Sequence, residues 1–253
     1  MKASENIKKL ILRYKTIRME ISPGKYKHVF FDLDNTLWDF NTNSEEAFRD
    51  LFEKYHLSER GVTSFEAFIE VYNKHNHLLW DFYRRGEIVK EMLNIRRFSL
   101  TLSDFGINDS LLSSNIANDY VSLSPTKTNL FPHTLAVLEY LAGKYSLHII
   151  TNGFEEVQYR KLNHSGLSLF FDQVITSEDA GVKKPDLPIF LYALQKAGAL
   201  AEESLMIGDD EEIDITGAFN AGIDQVLVDY NNVCPESRAT YRVSGLEKLY
   251  EIL

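Results

Sequence analysis

The sequence predicts an α/β protein with a doubly wound parallel sheet and a helical insert after the first strand. Through the second half of the chain, short apolar runs alternate with amphipathic segments, which is typical of a parallel sheet covered on both faces. From about residue 43 to residue 124, apolar residues instead recur at helical spacing, and no strand pattern appears. With 253 residues, 44% of them hydrophobic, the chain is long enough for one large core or two smaller ones.

The predicted strands are short apolar runs, and polar residues follow most of them. They are His28–Phe31, Leu147–Ile150, Gln173–Thr176, Leu205–Ile207 and Val226–Val228. The amphipathic segments that separate them are Thr134–Lys144, Glu155–His164, Pro188–Ala197 and Ile213–Ala221, and a last helix is predicted after Ser244. This alternation predicts parallel strands joined by helical crossovers.

The insert contains two apolar stripes at helical spacing. One runs from Ala47 to Tyr55 and the other from Phe65 to Tyr72, and a capping box formed by Thr63 and Glu66 precedes the second. Further helices are predicted at residues 87–98 and 111–121. We therefore expect three parts: an N-terminal extension at residues 1–18, a sheet domain at residues 19–40 and 125–253, and a helical domain at residues 41–124.

Composition limits the classes of function. The 37 Asp and Glu residues outnumber 27 Lys and Arg, and the net charge of −10 disfavours binding to a nucleic-acid polymer. No apolar run approaches the roughly 18 residues of a membrane-spanning helix. The single cysteine, Cys234, excludes an intramolecular disulfide and a CxxC metal site, as expected in a reducing compartment. These observations predict a cytoplasmic protein with no membrane partner.

Polar residues follow four of the predicted strands. The first strand runs into Asp32 and Asp34, the second into Thr151, Asn152 and Gly153, the third into the sequence GVKKP, and the fourth into GDDEEID. Each group alone has an ordinary structural interpretation, as a turn, a solvated loop or a helix N-terminus. Because parallel strands bring their carboxyl ends to one edge of the sheet, the four groups together predict a ligand site.

In this order the four groups resemble the motifs of the haloacid dehalogenase-like (HAD) superfamily of aspartate-nucleophile phosphatases. The motifs are FFDLDNT with Asp32, Asp34 and Thr36, IITNG with Thr151, GVKKP with Lys184, and IGDDEEID with Asp209 and Asp214. The resemblance extends from Val29 to about Tyr230 and implies a Rossmann-like core. The insert follows the first motif, where one group of the superfamily carries a helical cap.

The resemblance implies a Mg²⁺-dependent phosphomonoester hydrolase. Asp32 is then the nucleophile that forms an aspartyl-phosphate, and Asp34 is the general acid and base. Lys184 is a catalytic residue, and with Thr151 and Asn152 it binds the phosphate. Lys184 is preferred to Lys183 because the lysine of the family directly precedes a proline. The implied metal ligands are Asp32, Asp34 and Asp209, with Asp214 in the outer shell.

These residue types suit the chemistry. A phosphate monoester is a dianion, so an anionic nucleophile approaches it only where cations neutralise the charge. Carboxylate oxygens are the ligands that Mg²⁺ prefers, and a second acid can serve the leaving group as a proton donor. A dehalogenase, which attacks carbon, has no need of Asp34.

Further segments are similar to the noncanonical pyrimidine 5′-nucleotidase family. They are DLDNTLWDF, TNGF followed by Gln158 and Lys161-Leu162, and SGL before FFDQVITSEDAGVKKPD. The similarity implies nucleoside monophosphates as substrates. Base-stacking surfaces are available on Trp38, Phe154, Trp80, Phe82 and Tyr83, although helix packing explains each aromatic taken singly.

Three alternatives remain open at this level. A sugar-phosphate phosphatase or a phosphomutase of the same superfamily would retain both Asp32 and Asp34. A non-catalytic phosphate-binding protein would be favoured by loss of one of Asp32, Asp34, Lys184 or Asp209, and all four are present.

Overall fold

A computed structural model describes residues 24–253, so the predicted N-terminal extension at residues 1–18 lies outside the described residues. The described chain forms two compact units. Residues 24–40 and 128–253 make the sheet unit, and residues 41–127 make the helical unit. Within the described part, none of the helices combines the length and apolarity needed to cross a bilayer.

Four long helices make up the helical unit. They are α1 (Phe40–Lys54), α2 (Phe65–Arg84), α3 (Lys90–Asp104) and α4 (Ser110–Leu123). The predicted cap at Thr63 is wrong by one residue, because Ser64 is the N-cap of α2 and its side chain accepts a hydrogen bond from the Ala67 N–H at 3.1 Å. Thr63 and Ser64 both suit an N-cap, so residue type alone does not choose between them.

An aromatic cluster forms the core of the helical unit. Phe48 lies at its centre, stacked on Tyr120 with ring centroids 4.6 Å apart and edge-on to Tyr72 at 4.4 Å. Phe68 and Phe98 approach the same ring edge-on at 5.9 and 6.2 Å. Because these rings come from all four helices, the cluster joins the whole unit, and aromatic pairs of this geometry stabilise beyond their buried area.

The sheet unit contains six parallel strands. In chain order they are β1 (His28–Phe31), β2 (Ser146–Thr151), β3 (Gln173–Thr176), β4 (Ser204–Gly208), β5 (Asp224–Val228) and β6 (Tyr241–Val243). The order across the sheet is β3-β2-β1-β4-β5-β6, so β1 is central. The five predicted strands are present, and β6 was not predicted because it has three residues, of which two are exposed.

Both faces of the sheet are covered. Val29 and Phe31 of β1 pack into one buried cluster with Ile149 and Ile207, whereas Phe30 packs into a second cluster on the opposite face with Met206. Burying a side chain of this kind contributes about 1.5–3 kcal/mol. The alternation explains why β1 appears in the sequence as a continuous apolar run.

Short helices connect the strands. They are α5 (Thr134–Ala142), α6 (Glu155–His164), α7 (Ser177–Ala180), α8 (Leu187–Ala197) and α9 (Thr216–Asn220). A π-helical segment, Glu211–Ile215, precedes α9, and the predicted segment Ile213–Ala221 covers its last residues and all of α9. The predicted fold class, a doubly wound parallel sheet with a helical insert, is therefore confirmed.

The aromatic cluster generates a stability prediction for the helical unit. We expect Phe48→Ala to lower the free energy of unfolding of this unit by about 3–5 kcal/mol, since the cavity loses contacts to four rings. Leu111→Ala, at a side chain that is 69% exposed, is the control and should change it by less than about 0.5 kcal/mol. Urea denaturation followed by circular dichroism measures both. Equal effects of the two substitutions would contradict the central role of Phe48.

Candidate active site

Asp32 and Asp34 leave the central strand in different directions. The Asp32 N–H donates to the Ile207 carbonyl oxygen at 2.9 Å, which extends the pairing of β1 with β4 by one residue. Beyond it the chain turns, and the N–H groups of Leu37 and Trp38 donate to the Leu33 carbonyl at 3.0 and 2.9 Å. Asn35 in this turn has a φ of 63°, a left-handed conformation that asparagine tolerates better than most residues.

Lys184 lies between two carboxylates. Its Nζ is 2.6 Å from Asp32 Oδ1 and 2.6 Å from Asp214 Oδ1, and its side chain is 2% exposed. Asn152 holds the backbone of this lysine, because its Nδ2 donates to the Lys184 carbonyl at 2.9 Å and its Oδ1 accepts from the Lys184 N–H at 2.8 Å. The side chain of Asn152 thus fixes the chain position from which Lys184 reaches the two acids.

Asp209 follows β4 and is held by the first motif. Thr36 Oγ1 donates to Asp209 Oδ1 at 2.8 Å. Asp214, on the π-helical segment, accepts a hydrogen bond from the Asp210 N–H at 3.2 Å. Its carboxyl group lies so close to Gly208 that a Cβ on that residue would be 2.3 Å from Asp214 Oδ2. A glycine at position 208 is therefore required for this arrangement.

Asp32, Asp209 and Asp214 are suited to hold a divalent cation. Each offers a carboxylate oxygen, and these oxygens lie within 4.8 Å of one another. With Lys184, the three carboxylates carry a formal charge of −2, which a divalent cation balances, and hard cations such as Mg²⁺ prefer oxygen ligands. Of the three carboxyl groups predicted as ligands, those of Asp32 and Asp209 belong to this cluster and that of Asp34 does not.

The carboxyl group of Asp34 has other partners, both on α6. Lys161 Nζ donates to its Oδ1 at 2.6 Å and Gln158 Nε2 donates to its Oδ2 at 3.0 Å. Gln158 Nε2 also donates to Thr151 Oγ1 at 2.7 Å, and the Gly153 N–H donates to the same hydroxyl at 3.1 Å. The predicted residues Asp34 and Thr151 are thereby linked through one amide group.

Gln158 and Lys161 were not predicted as site residues. A lysine or glutamine on an amphipathic helix normally faces solvent, yet Gln158 is fully buried and Lys161 is 3% exposed. Gln158 and Lys161 are three positions apart, which places both on one face of α6. This spacing is the sequence feature that could have indicated a shared role for the two residues.

Burial and mutual repulsion raise the pKa values of the clustered acids. Burial raises the pKa of Asp32 to about 7, against the opposing charge of Lys184 and with added repulsion from Asp214 and Asp34. Burial, then repulsion from Asp32 and Asp214, raises the pKa of Asp209 to about 8, although the hydrogen bond from Thr36 opposes it. For Lys184, burial favours the neutral amine, but Asp214 and Asp32 outweigh it and the pKa is raised.

The five aromatic side chains considered for base stacking have local packing partners. In the sheet unit, the buried ring of Trp38 lies 4.3 Å from Lys161 Nζ, and Phe154 is also buried. In the helical unit, Trp80 and Tyr83 contact each other edge-on at 5.6 Å, and Phe82 lies 5.1 Å from the Arg85 guanidinium. Stacking on a base stays a prediction.

Comparison with known proteins identifies the family. The family model described as haloacid dehalogenase-like hydrolase matches residues 26–222. The chain is 33% identical to the pyrimidine 5′-nucleotidase PynA of Streptococcus pneumoniae, over 90% of this chain and 95% of that protein. It is 32% identical to a glyceraldehyde 3-phosphate phosphatase of Methanothermobacter thermautotrophicus, over 80% of this chain and 85% of that protein.

A solved structure is also similar. The crystal structure of the HAD-hydrolase YfnB from Bacillus subtilis, bound to magnesium, superimposes with a TM-score of 0.81 at 28% identity, over 91% of this chain and 99% of that one. The chain belongs to the haloacid dehalogenase-like hydrolase family. The prediction of an enzyme of this superfamily is confirmed, and the two curated relatives named above belong to the predicted classes of phosphatase and nucleotidase.

The raised pKa values of Asp32 and Asp209 generate a prediction for stability against pH. Both carboxyl groups bind protons more tightly in the folded chain than in the unfolded chain, so their repulsion is absent at low pH and appears as pH rises through about 7–8. With a chelator present, the melting temperature should fall as pH rises from about 5 to about 7.5, by about 3–5 °C per pH unit for each proton of difference, and it should level off above about pH 8. Scanning calorimetry measures this.

Asp209→Asn provides the control, because it removes one of the two titrating groups while keeping the shape of the side chain. Its melting temperature should depend less steeply on pH over the same range. A wild-type melting temperature that rises over this range would contradict the assignment.

Proposed function

We propose that the chain is a Mg²⁺-dependent phosphomonoester hydrolase that forms an aspartyl-phosphate on Asp32 and acts on nucleoside monophosphates. The observation that carries the proposal is the position of Lys184 Nζ, 2.6 Å from the Asp32 carboxylate at the carboxyl edge of the sheet. A buried ammonium beside a carboxylate supplies the charge that a phosphate dianion needs in order to approach an anionic nucleophile.

In the first step, a carboxylate oxygen of Asp32 attacks phosphorus and the bond from phosphorus to the ester oxygen breaks. Lys184 offsets charge on the nucleophile and on the phosphoryl oxygens. Thr151 and the backbone N–H of Asn152, just before the N-terminus of α6, would receive the phosphoryl oxygens, since unpaired N–H groups at a helix start attract anions. The products are an aspartyl-phosphate and an alkoxide that requires a proton.

Asp34 would supply that proton and later remove one from water. Protonated Asp34 gives its proton to the leaving alkoxide, and the resulting carboxylate accepts a proton from the water that attacks the phosphoenzyme. The second attack releases inorganic phosphate and restores Asp32. The separation of the Asp34 carboxyl group from the cluster of Asp32, Asp209 and Asp214 supports this second role.

The metal would be held by Asp32 and Asp209, with Asp214 in the outer shell. Asp214 already accepts hydrogen bonds from Lys184 and from the Asp210 N–H, which favours contact through water over direct ligation. If Asp34 contributes a ligand, its main-chain carbonyl oxygen is the suitable atom, since its carboxyl group serves proton transfer. When bound, Mg²⁺ supplies positive charge to the phosphoryl group.

The substrate class rests on the similarity to the nucleotidase PynA and on the sequence segments quoted for that family. A sugar-phosphate phosphatase is the second candidate, because the relative from Methanothermobacter thermautotrophicus is a glyceraldehyde 3-phosphate phosphatase of almost equal identity. Both candidates share the chemistry at Asp32 and differ in the alcohol that leaves.

A substrate panel distinguishes the two candidates. With Mg²⁺, phosphate release should be faster from pyrimidine nucleoside monophosphates than from triose and hexose phosphates, as judged by kcat/KM, and excess chelator should abolish it. Faster release from the sugar phosphates would transfer the assignment to the second candidate. Undiminished release in excess chelator would exclude the metal-dependent mechanism.

Substitution of the two acids separates their roles. Asp32→Asn should leave no phosphoenzyme with any ester, because an amide is a poor nucleophile. Asp34→Asn should lower nucleotide hydrolysis by about 10²–10⁴-fold, yet it should still be phosphorylated by 4-nitrophenyl phosphate, whose leaving group needs little protonation. Mass spectrometry of the trapped protein should then find one phosphoryl group on the peptide that contains Asp32.

Asp224→Asn, at a carboxylate that binds Lys25 and Tyr26, is the control and should retain turnover of both esters. An adduct in Asp32→Asn, or on a peptide without Asp32, would show that the nucleophile is assigned to the wrong residue.

A further inference from the structure

Each of the two acids in the first motif has its own buried lysine. Asp32 binds Lys184, and Asp34 binds Lys161 at 2.6 Å. We propose that Lys161 and Gln158 are positioning residues that hold the Asp34 carboxyl group in the orientation required for proton transfer. The inference rests on the proposed function, because that function assigns the proton transfers to Asp34.

Both oxygens of the Asp34 carboxyl group are held from α6. Lys161 occupies Oδ1 and Gln158 occupies Oδ2. A carboxyl group rotates readily about its terminal bond, because that torsion has only broad and shallow minima. Two donors on one rigid helix remove this freedom. Each oxygen accepts two hydrogen bonds when ionised, so one lone pair on each stays available for a leaving group or a water.

Lys161 is itself held in place by aromatic rings. Its Nζ lies 4.3 Å from the ring centroid of Trp38 and 5.6 Å from that of Phe40. Trp38 is fully buried and is anchored through its backbone, which pairs with Leu130. A desolvated cation over a tryptophan face is attracted by the negative face of the ring. The ammonium therefore has one carboxylate and two ring faces around it.

Gln158 is fixed by close contact with a glycine. A Cβ on Gly153 would lie 2.4 Å from Gln158 Nε2 and 2.5 Å from its Cδ, so only glycine leaves room for the amide group. The same Nε2 donates to Thr151 Oγ1 and to Asp34 Oδ2. Gln158 thus sets the distance between a residue proposed to bind the phosphate and the proposed proton donor.

A contribution to the stability of the fold does not by itself explain why a lysine is buried at position 161. Replacement of a buried ion pair by apolar residues is often neutral or stabilising, because the attraction between the charges is offset by their loss of hydration. Asp34 keeps 26% of its side-chain surface exposed, so it is reachable by a reacting group while Lys161 is not. In this pair the reacting carboxyl group of Asp34 is partly exposed, and the lysine that holds it is buried.

Leaving-group dependence tests the proposal. The ratio kcat/KM covers the steps up to release of the alcohol, and a 4-nitrophenoxide leaves without a proton. In Lys161→Met, kcat/KM for the best nucleoside monophosphate or sugar phosphate of the substrate panel should fall by about 10²-fold, the cost of a misplaced catalytic group. For 4-nitrophenyl phosphate it should change by less than about threefold.

Two further variants and a control complete the test. Gln158→Leu should reproduce the selective loss, and Lys161→Arg, which keeps a donor and a charge, should recover part of the activity toward the alkyl ester. Lys196→Met, which removes a lysine 5.3 Å from the Tyr192 ring on α8, should leave both esters unaffected. If Lys161→Met does not fold, the same criteria apply to Gln158→Leu.

Failure of the inference is distinguishable from failure of the proposed function. If wild-type protein with Mg²⁺ releases phosphate from neither type of ester, the proposed function is wrong and the inference is lost with it. If wild-type protein hydrolyses both, but the Lys161 and Gln158 variants lose activity toward both equally or toward neither, the phosphatase assignment stands and the positioning role is overturned.

Discussion

The contact of the Lys184 ammonium with both Asp32 and Asp214 is the interaction on which the edge of the sheet depends. Without this cation, burial and mutual repulsion would act unopposed on the two carboxylates, which lie 2.6 Å from the same Nζ atom. The three residues come from separate segments: the end of β1, the loop before α8, and the π-helical segment after β4. One buried charge therefore connects the parts of the chain that form the candidate active site.

Lys161 explains how Asp32 and Asp34, which are two residues apart, can have different surroundings. Asp32 lies among buried charges, whereas Asp34 lies against α6 with a partly exposed carboxyl group. The turn that separates them depends on Asn35 in a left-handed conformation and on backbone hydrogen bonds to Leu33. In the proposed reaction, a nucleophile and a proton donor need such different surroundings, and the short turn supplies both from one motif.

Two glycines at the carboxyl edge of the sheet have the same role in packing. Gly153 leaves room for the Gln158 amide, and Gly208 leaves room for the Asp214 carboxyl group. In each case a polar side chain from the following helical segment folds back over the end of a strand. A Cβ at either glycine would displace the polar group by direct contact, so the two glycines are required for packing and not for a special φ angle. Gly153 follows β2 and Gly208 is the last residue of β4, and these two strands flank the central strand.

Much of the fold follows from local sequence patterns. A strand buried on both faces must be apolar throughout, so the strands from β1 to β5 were recognisable from the chain alone. The edge strand β6 was not, because two of its three residues are exposed. The N-cap of α2 was misplaced by one residue because Thr63 and Ser64 have similar capping ability. The family, and with it the residues at the strand ends, followed from four motifs whose spacing is set by the alternation of strands and helices.

Tertiary structure alone decided which basic side chain binds each acid at the strand ends. Lys184 is 152 residues from Asp32 in sequence, and Lys161 is 127 residues from Asp34. The family resemblance implied Asp32, Asp34 and Asp209 as metal ligands. In the folded chain, the Asp34 carboxyl group binds Lys161, and the carboxyl group of Asp214 lies with those of Asp32 and Asp209. Hydrophobic periodicity is a local property and is visible in the sequence. The partner of a buried charge depends on the three-dimensional approach of distant segments, which no local pattern records.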